Sequence, residues 1–203
     1  MKLIMVRHGE SEHNVMEIMQ GHIPSRLTLR GIQQAEKARD LLKNEKIDSI
    51  FSSDLQRVKQ TAEIINEFHN LNINFSLILR ERSFGIFEGK LKSELLAAVK
   101  KSGLKYHEYR PPQGESCLDI HNKMHVFLEA LLKDNPNQTV LIVTHGGNIM
   151  ELLLSLFPFK REEYQIFLPD NCDITILDIE STKNAKISLL NSKPFDGNYG
   201  GSI

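Results

Sequence analysis

Arg7 and His8 stand side by side directly after a short apolar run, and this pairing is the clearest sign of chemistry in the chain. The run Lys2–Val6 reads as a buried strand and Gly9 follows the pair, so both side chains are expected beyond the carboxyl end of a strand, where open α/β sheets bind ligands. A histidine beside a fixed cation resists protonation and stays nucleophilic, while the cation attracts anions. The pair therefore predicts attack by imidazole on an anion, with phosphate as the first candidate.

Three further groups that can bind or protonate a phosphate follow other predicted strands. If these strands run parallel to the first, Arg57, Glu81 and His145 meet Arg7 and His8 at one edge of the sheet. One such residue would carry little information, whereas several together predict a site. The strands concerned are predicted at Lys2–Val6, Asp48–Phe51, Ile73–Leu79 and Thr139–Thr144.

Segments of helical periodicity alternate with these strands, and a pair of predicted strands follows in the tail of the chain. The pattern predicts an α/β fold, a three-layer α/β/α domain over residues 1–203 with a mostly parallel central sheet and an antiparallel edge from the tail. The last residues, Phe195–Ile203, are expected to fray. The predicted helices are Thr28–Asn44 with Thr28 as N-cap, Asp54 to about His69, Ser93–Lys101, Ser116 to about Lys133 with a capping box, and Asn148–Leu156; the tail strands are Asp173–Ile179 and Lys186–Leu190.

Arg57 and His145 each allow a functional and a structural interpretation. Arg57 falls in the first turn of a helix that Asp54 is predicted to cap, where a cation opposes the helix dipole at a cost of up to about 1 kcal/mol. Either an anion bound at the helix N-terminus holds it there, or it is an exposed arginine that tolerates the position. His145 precedes Gly146 and Gly147, which let a ligand approach the backbone. Protonated, it would stabilise a transferring phosphoryl group; otherwise it is a buried histidine satisfied by its neighbours.

Glu81 lies between two arginines, Arg80 and Arg82. The three residues can form a surface ion-pair run of little energetic value. Alternatively, Glu81 donates a proton to a leaving group, since a carboxyl group beside phosphate oxygens keeps its proton more readily. The residues themselves leave both readings open.

Composition excludes several classes of protein. The formal net charge of −1 gives no basic field, so nucleic acid is not an expected partner. No apolar stretch approaches the roughly 18 residues of a membrane span, and the short apolar start is unlike a signal peptide, so no membrane partner and a cytoplasmic location are expected. Cys117 and Cys172 lack metal-ligand spacing and are expected to be free thiols.

Taken together, these motifs resemble the histidine phosphatase superfamily, the phosphoglycerate mutase-like proteins. The similarity covers about residues 2–150 in order and spacing, and the tail is compatible with it. The matching segments are Leu3–Ser11 with Asn14 and Gln20-Gly21, Leu27–Ala35, Phe51–Arg57 with Thr61-Ala62, Leu79–Glu81 with Gly85 and Phe87–Gly89, Gly114–Ser116, and Thr144–Gly147.

The resemblance implies a role for each group at this edge of the sheet. His8 is implied to be the nucleophile that becomes phosphohistidine, and Glu81 the general acid and base. Neither a cofactor nor a metal is implied, because arginines and a protonated histidine supply the positive charge. The residues implied to bind the phosphate or the rest of the substrate are Arg7, His8, Asn14, Gln20, Gly21, Arg57, Glu81, His145 and Gly146.

The compact segment between Glu81 and His145 favours a phosphatase, because the family's mutases have a long insertion there that encloses the substrate. Its loops look like those of fructose-2,6-bisphosphatase-like phosphatases, and bacterial broad-specificity and alpha-ribazole phosphatases share much of the pattern. We expect a metal-independent phosphomonoesterase that acts through phosphohistidine on a small phosphorylated metabolite, such as a sugar bisphosphate, as a monomer or homodimer. The alternatives are a phosphoglycerate mutase and a catalytically silent relative that binds phospho-ligands.

Substrate preference is expected to depend on the loops around the site. Ser25-Arg26 stands where many members of the family have an acidic residue and a proline, so preference can differ there without a change of chemistry. Six side chains could contact the rest of a substrate, although each alone is more typical of a solvated surface residue: Arg82, Lys90, His13, His22, Tyr109 and Arg110.

Overall fold

The computed structural model describes residues 1–161 and 167–195, and strands and helices alternate along most of them. Short 3-10 turns cover Asn66–Phe68, Leu77–Leu79 and Gly85–Phe87. The strands are β1 (Lys2–Arg7), β2 (Ser49–Ser52), β3 (Ile73–Phe75), β4 (Thr139–Thr144), β5 (Ile174–Ser181), β6 (Asn184–Leu190) and β7 (Lys193–Pro194). The helices are α1 (Glu12–Val15), α2 (Leu29–Leu42), α3 (Gln56–Ile65), α4 (Lys92–Ser102), α5 (Cys117–Asp134) and α6 (Gly146–Leu156).

The strands form one mixed sheet of seven, in the order β3-β2-β4-β1-β5-β6-β7. Strands β1 to β4 are mutually parallel, and Arg7 is in register with Thr144 at the ends of β1 and β4. The tail strands β5, β6 and β7 add to β1 in antiparallel pairing. The predicted α/β class, the mostly parallel centre and the antiparallel edge are therefore confirmed, and the carboxyl ends of four strands meet at one edge.

Alternation along β1 divides the core into two layers. Leu3 and Met5 pack on one face against α5 and α6, whereas Ile4 and Val6 pack on the other against α2 and α3. All four side chains are fully buried, so the polar residues that follow them are positioned by a strand clamped on both sides. A smaller cluster joins α4 to the loop that contains Phe84 and Phe87.

Two of the predicted helix starts hold in detail. The hydroxyl of Thr28 accepts the N–H of Gly31 at 3.0 Å at the start of α2. At the start of α5, Ser116 and Asp119 form the predicted capping box, in which the Ser116 hydroxyl accepts the N–H of Asp119. These caps satisfy backbone donors that the first helical turn leaves unpaired.

The structure corrects other boundaries. Asp54 does not cap α3, whose N-cap is Leu55; the Asp54 carboxylate instead accepts from Arg80 Nε at 2.7 Å. The predicted strand Ile73–Leu79 ends at Phe75, because its neighbour in the sheet, β2, ends at the residue paired with Phe75. Glu81 therefore follows a 3-10 turn rather than a strand. Helix α3 ends at Ile65, and residues 66–68 continue as the first 3-10 turn.

No helix in the described ranges is both long and apolar enough to span a membrane. Most of the predicted frayed end, residues 196–203, lies outside the described residues.

Candidate active site

His8 lies just beyond the end of β1. Its backbone N–H donates to the Thr144 carbonyl at 2.9 Å, which fixes it to the neighbouring strand β4. Its Nδ1 is 2.7 Å from the Gly9 carbonyl oxygen. A carbonyl can only accept, so Nδ1 carries the proton and the lone pair is on Nε2. Burial, followed by the charges of Arg57 and Arg7, holds the pKa of His8 well below its ordinary value. The imidazole is therefore neutral and nucleophilic near neutral pH.

Arg57 lies in the first turn of α3 and is 1% exposed. Its Nη2 donates to the Gly21 carbonyl at 3.0 Å. Within residues 1–161 and 167–195, its buried Nε and Nη1 have no hydrogen-bond partner. Burial lowers the pKa of Arg57 to about 10, which leaves it charged near neutral pH. A buried cation with unsatisfied donors is costly, and an oxyanion would satisfy both the charge and the donors. The interpretation of Arg57 as an exposed, tolerated arginine is wrong.

His145 is the N-cap residue of α6 and is fully buried. Its Nδ1 lies 3.3 Å from Arg57 Nη2 and its Nε2 lies 3.1 Å from the Ser53 hydroxyl. Burial, then the charges of Arg57, His8 and Arg7, hold the pKa of His145 well below its ordinary value. The low pKa favours the neutral form of His145, and its protonation beside a transferring phosphoryl group stays a prediction. Its ring and that of His8 meet edge to face, with centroids 5.3 Å apart.

Arg7 is the last residue of β1, and its Nη1 donates to the Pro169 carbonyl at 2.7 Å. It lines two adjoining cavities, one of about 250 Å³ that also contains His8 and Arg57, and one of about 160 Å³ beside it. Gly146 lines the second cavity, and a Cβ there would lie 3.1 Å from Leu168 Cδ1. Arg7 thus gives both cavities a positive charge.

Glu81 stands at the boundary between the two cavities and lines both. Its Oε1 accepts the backbone N–H of Arg82 at 2.9 Å, and its Oε2 is 3.9 Å from His145 Nδ1. A Cβ at Gly147 would lie 2.9 Å from Oε1, so glycine at this position makes room for the carboxylate. The surface ion-pair reading does not hold, because Arg80 pairs with Asp54 and Arg82 is buried.

Asn14, Gln20 and Gly21 line the cavity that contains His8, as the resemblance implies. The Ser11 N–H donates to Asn14 Oδ1 at 3.0 Å and the Ser11 hydroxyl donates to Gln20 Oε1 at 3.0 Å, which anchors the oxygen end of each amide. The NH₂ groups would then be the ends available to a phosphate oxygen. All nine predicted site residues therefore line one or other of the two cavities or, in the case of His145, contact Arg57 directly.

Three buried polar residues support the site although the sequence did not single them out for that role. Ser53 Oγ lies 3.1 Å from His145 Nε2, and Thr61 Oγ1 accepts the N–H of Gly9 at 3.0 Å. Asn148 Nδ2 donates to the carbonyls of Leu79 and Arg80, at 2.8 and 3.1 Å, and so holds the chain that leads to Glu81. A polar residue within an otherwise apolar helix or at a strand end is the sequence signal for such supports.

The additional candidate contacts divide into two groups. Arg82 is 4% exposed and lines the second cavity, and its guanidinium carbon lies 4.7 Å from the ring centre of Phe84 and 4.9 Å from that of Tyr106. The expectation of a solvated side chain is therefore wrong for Arg82. His13 lines the first cavity. The remaining four have other contacts: His22 with the Glu81 carbonyl, Lys90 over the Phe87 ring, Tyr109 against the Phe84 cluster and Arg110 with Asp119.

A neutral, buried imidazole beside two arginines and a carboxyl group has the chemistry needed to attack an anionic substrate and to protonate its leaving group. Comparison with known families agrees: residues 3–192 match the model of the histidine phosphatase superfamily, branch 1. The chain belongs to this superfamily and is a phosphatase-type enzyme, as the resemblance predicted.

Individual relatives differ in the activity that their names give. Phosphoserine phosphatase 1 of Hydrogenobacter thermophilus is 30% identical over 192 residues, which span 93% of this chain and 91% of that protein. A Proteus mirabilis protein named as the phosphoglycerate mutase GpmB is 32% identical over 189 residues, spanning 90% and 86%. Among solved structures, the alpha-ribazole phosphatase of Shigella flexneri superposes with a TM-score of 0.85 at 27% identity, over 98% of this chain and all of that one.

Proposed function

We propose that this protein is a metal-independent phosphomonoesterase that hydrolyses a small phosphorylated metabolite through a phosphohistidine at His8. The observation that carries the proposal is the hydrogen bond from His8 Nδ1–H to the Gly9 carbonyl. It leaves the lone pair on Nε2 in a side chain that lines a cavity with Arg7 and Arg57. A neutral nucleophile beside two cations suits attack on a dianionic phosphate.

In the first step, the lone pair of His8 Nε2 forms a bond to phosphorus while the bond from phosphorus to the ester oxygen breaks. The electron pair goes to the leaving oxygen, which takes a proton from the Glu81 carboxyl group. Arg7 and the unsatisfied Nε and Nη1 of Arg57 stabilise the charge on the equatorial oxygens. In the second step, water gives a proton to Glu81 and attacks phosphorus, the bond to Nε2 breaks, and phosphate leaves.

The second cavity suits the leaving group. In-line displacement puts the leaving oxygen opposite His8 across the phosphorus atom, on the side of the general acid. The cavity of about 160 Å³ shares Glu81 and Arg7 with the first but does not include His8. Its volume suits a compact leaving group, and its lining combines the buried Arg82 with the apolar Phe84, Ile120 and Leu168.

The direct test is release of phosphate from para-nitrophenyl phosphate and from a panel of phosphorylated sugars, hydroxy acids and amino acids. We expect turnover by the wild-type protein in the presence of a chelator, and none by His8→Ala. Absence of turnover on every ester, with phosphate still bound, would favour the catalytically silent relative.

A mutase remains the second candidate because of the similarity to GpmB. A mutase primed with 2,3-bisphosphoglycerate would convert 3-phosphoglycerate to 2-phosphoglycerate and release little phosphate. The two cavities adjoin without a long insertion between Glu81 and His145, which supports access of water and hence hydrolysis.

We further propose that the protein works in the cytoplasm, as a monomer or homodimer, with the phosphorylated metabolite as its ligand. Both cysteines, Cys117 and Cys172, are buried free thiols, which suits a reducing compartment. Size-exclusion chromatography with light scattering tests the oligomeric state.

A further inference from the structure

We propose that His22 is a positioning residue that fixes the backbone of Glu81 and thereby aims the general acid at the leaving oxygen. The inference rests on the proposed function. His22 Nε2 lies 2.8 Å from the carbonyl oxygen of Glu81, 59 residues further along the chain. Because a carbonyl only accepts, Nε2 carries a proton and donates whether the imidazole is neutral or charged.

The turn that contains His22 also holds the phosphate-binding arginine. The N–H of Ile23 bonds to the Gln20 carbonyl at 2.9 Å and closes the turn. Gly21 within it has a φ of +47° and accepts from Arg57 Nη2 at 3.0 Å. A Cβ at Gly21 would overlap the Glu88 carboxyl group, so the turn also packs closely against the loop that follows Glu81. One turn therefore connects the side chain of Arg57 to the backbone of Glu81.

Glu81 depends on such contacts because no regular strand or helix holds it. It follows the 3-10 turn Leu77–Leu79, and its segment is held by side chains on two sides. Asn148 holds the carbonyls of Leu79 and Arg80, and His22 holds the carbonyl of Glu81 itself. A general acid acts only within hydrogen-bond distance of the oxygen it protonates, and a displacement of about 1 Å can cost about a hundredfold in rate.

A direct contact of His22 with substrate has less support. Neighbouring Gln20 and Gly21 line the cavity that contains His8, whereas His22 is not among the described residues that line either cavity. Its Nε2 is already committed to a backbone acceptor. His22 is therefore expected to act through Glu81, on phosphoryl transfer rather than on substrate binding.

The test is His22→Ala in the full chain, assayed on phosphate monoesters that differ in the pKa of the leaving alcohol. Alkyl phosphates need protonation of the leaving group, whereas para-nitrophenolate needs little. We expect the single-turnover rate of phosphoryl transfer to His8 to fall about tenfold for alkyl phosphates and by less than about twofold for para-nitrophenyl phosphate, with substrate affinity unchanged. His22→Gln, which keeps an amide donor, should recover much of the loss. His125→Ala, which removes a half-exposed histidine of α5, is the matched control and should leave the rate on both kinds of substrate unchanged.

A double-mutant cycle with Glu81→Gln separates positioning from a general structural effect. If His22 acts through Glu81, then His22→Ala causes no further leaving-group-dependent loss when Glu81 is already replaced. The proposal is overturned if His22→Ala slows all esters equally, raises KM alone, or multiplies the loss in the Glu81→Gln background. If the wild-type protein hydrolyses no ester, both the proposed function and this inference are overturned. If the wild-type protein is active and the His22→Ala variant behaves as the wild type does, the inference alone is overturned.

Discussion

Arg57 Nη2 lies 3.3 Å from His145 Nδ1, and this contact fixes the protonation state of the histidine. A guanidinium group has only donors, so Nδ1 must present its lone pair and Nε2 must carry the proton, which points to the Ser53 hydroxyl. His8 has the opposite tautomer, with its proton on Nδ1 and bonded to the Gly9 carbonyl. The ligand-free site therefore contains two neutral histidines whose lone pairs are on different nitrogens.

These tautomers can be measured. In ¹⁵N NMR spectra of the ligand-free protein near neutral pH, we expect His8 as the Nδ1–H form and His145 as the Nε2–H form, both titrating well below the ordinary histidine pKa because of burial and of the Arg57 charge. Assignment uses the single variants His8→Asn and His145→Asn. An imidazolium signal for His145 near neutral pH would contradict the assignment.

Burial of both histidines also predicts how stability depends on pH. Unfolded histidines take up protons near pH 6.5, whereas the folded-state pKa values of His8 and His145 lie well below that. The unfolded state then binds more protons, so the free energy of unfolding falls as pH decreases below about 6.5, by up to about 1.4 kcal/mol per pH unit for each histidine. Urea unfolding in phosphate-free buffer measures the slope, which should be shallower in His8→Asn and unchanged in His125→Asn. An identical slope in all three proteins would mean that His8 is not buried in its neutral form.

Replacement of Arg57 tests the anion site. Arg57→Gln removes the buried charge and the donors of the fork, so we expect kcat/KM to fall about 10²- to 10³-fold or more and inhibition by inorganic phosphate to weaken in parallel. Arg57→Lys keeps the charge but loses the planar set of guanidinium donors, and should recover only part of the activity. Arg39→Gln, at a surface pair with Glu67, is the control. Unchanged inhibition by phosphate in Arg57→Gln would place the anion elsewhere.

Glu81→Gln tests the proton donor. The amide keeps the size of the side chain but cannot supply a proton, so alkyl phosphates should lose about 10²- to 10⁴-fold in kcat/KM, which reports phosphoryl transfer to His8, while para-nitrophenyl phosphate loses far less. The exposed Glu129→Gln serves as control. A loss of the same size on both kinds of ester would exclude general-acid catalysis by Glu81.

Much of the site could be predicted because strand ends are encoded locally. The buried runs before His8 and His145 define β1 and β4, and parallel pairing of these strands brings their ends together. The position of Arg57 in the first turn of α3 follows from helical periodicity alone, even though the predicted cap was wrong.

What the sequence could not supply depends on contacts between distant segments. The low pKa of His145 results from burial and then from the charge of Arg57, 88 residues away. Arg82 looks like a surface residue in the sequence, yet its guanidinium group lies over the rings of Phe84 and Tyr106. The role of His22 depends on the path of the chain around Glu81, which periodicity does not determine.

The central claim is that His8 Nε2 carries the phosphoryl group, and trapping that intermediate tests it most directly. Glu81→Gln should form it from para-nitrophenyl phosphate, which needs no acid, and should hydrolyse it slowly because the base is missing. After an alkaline quench, which preserves phosphohistidine, peptide mass spectrometry should find one phosphoryl group on His8, absent when His8 is also replaced by Ala. Turnover without any covalent phosphate, or with phosphate on another residue, would contradict the account.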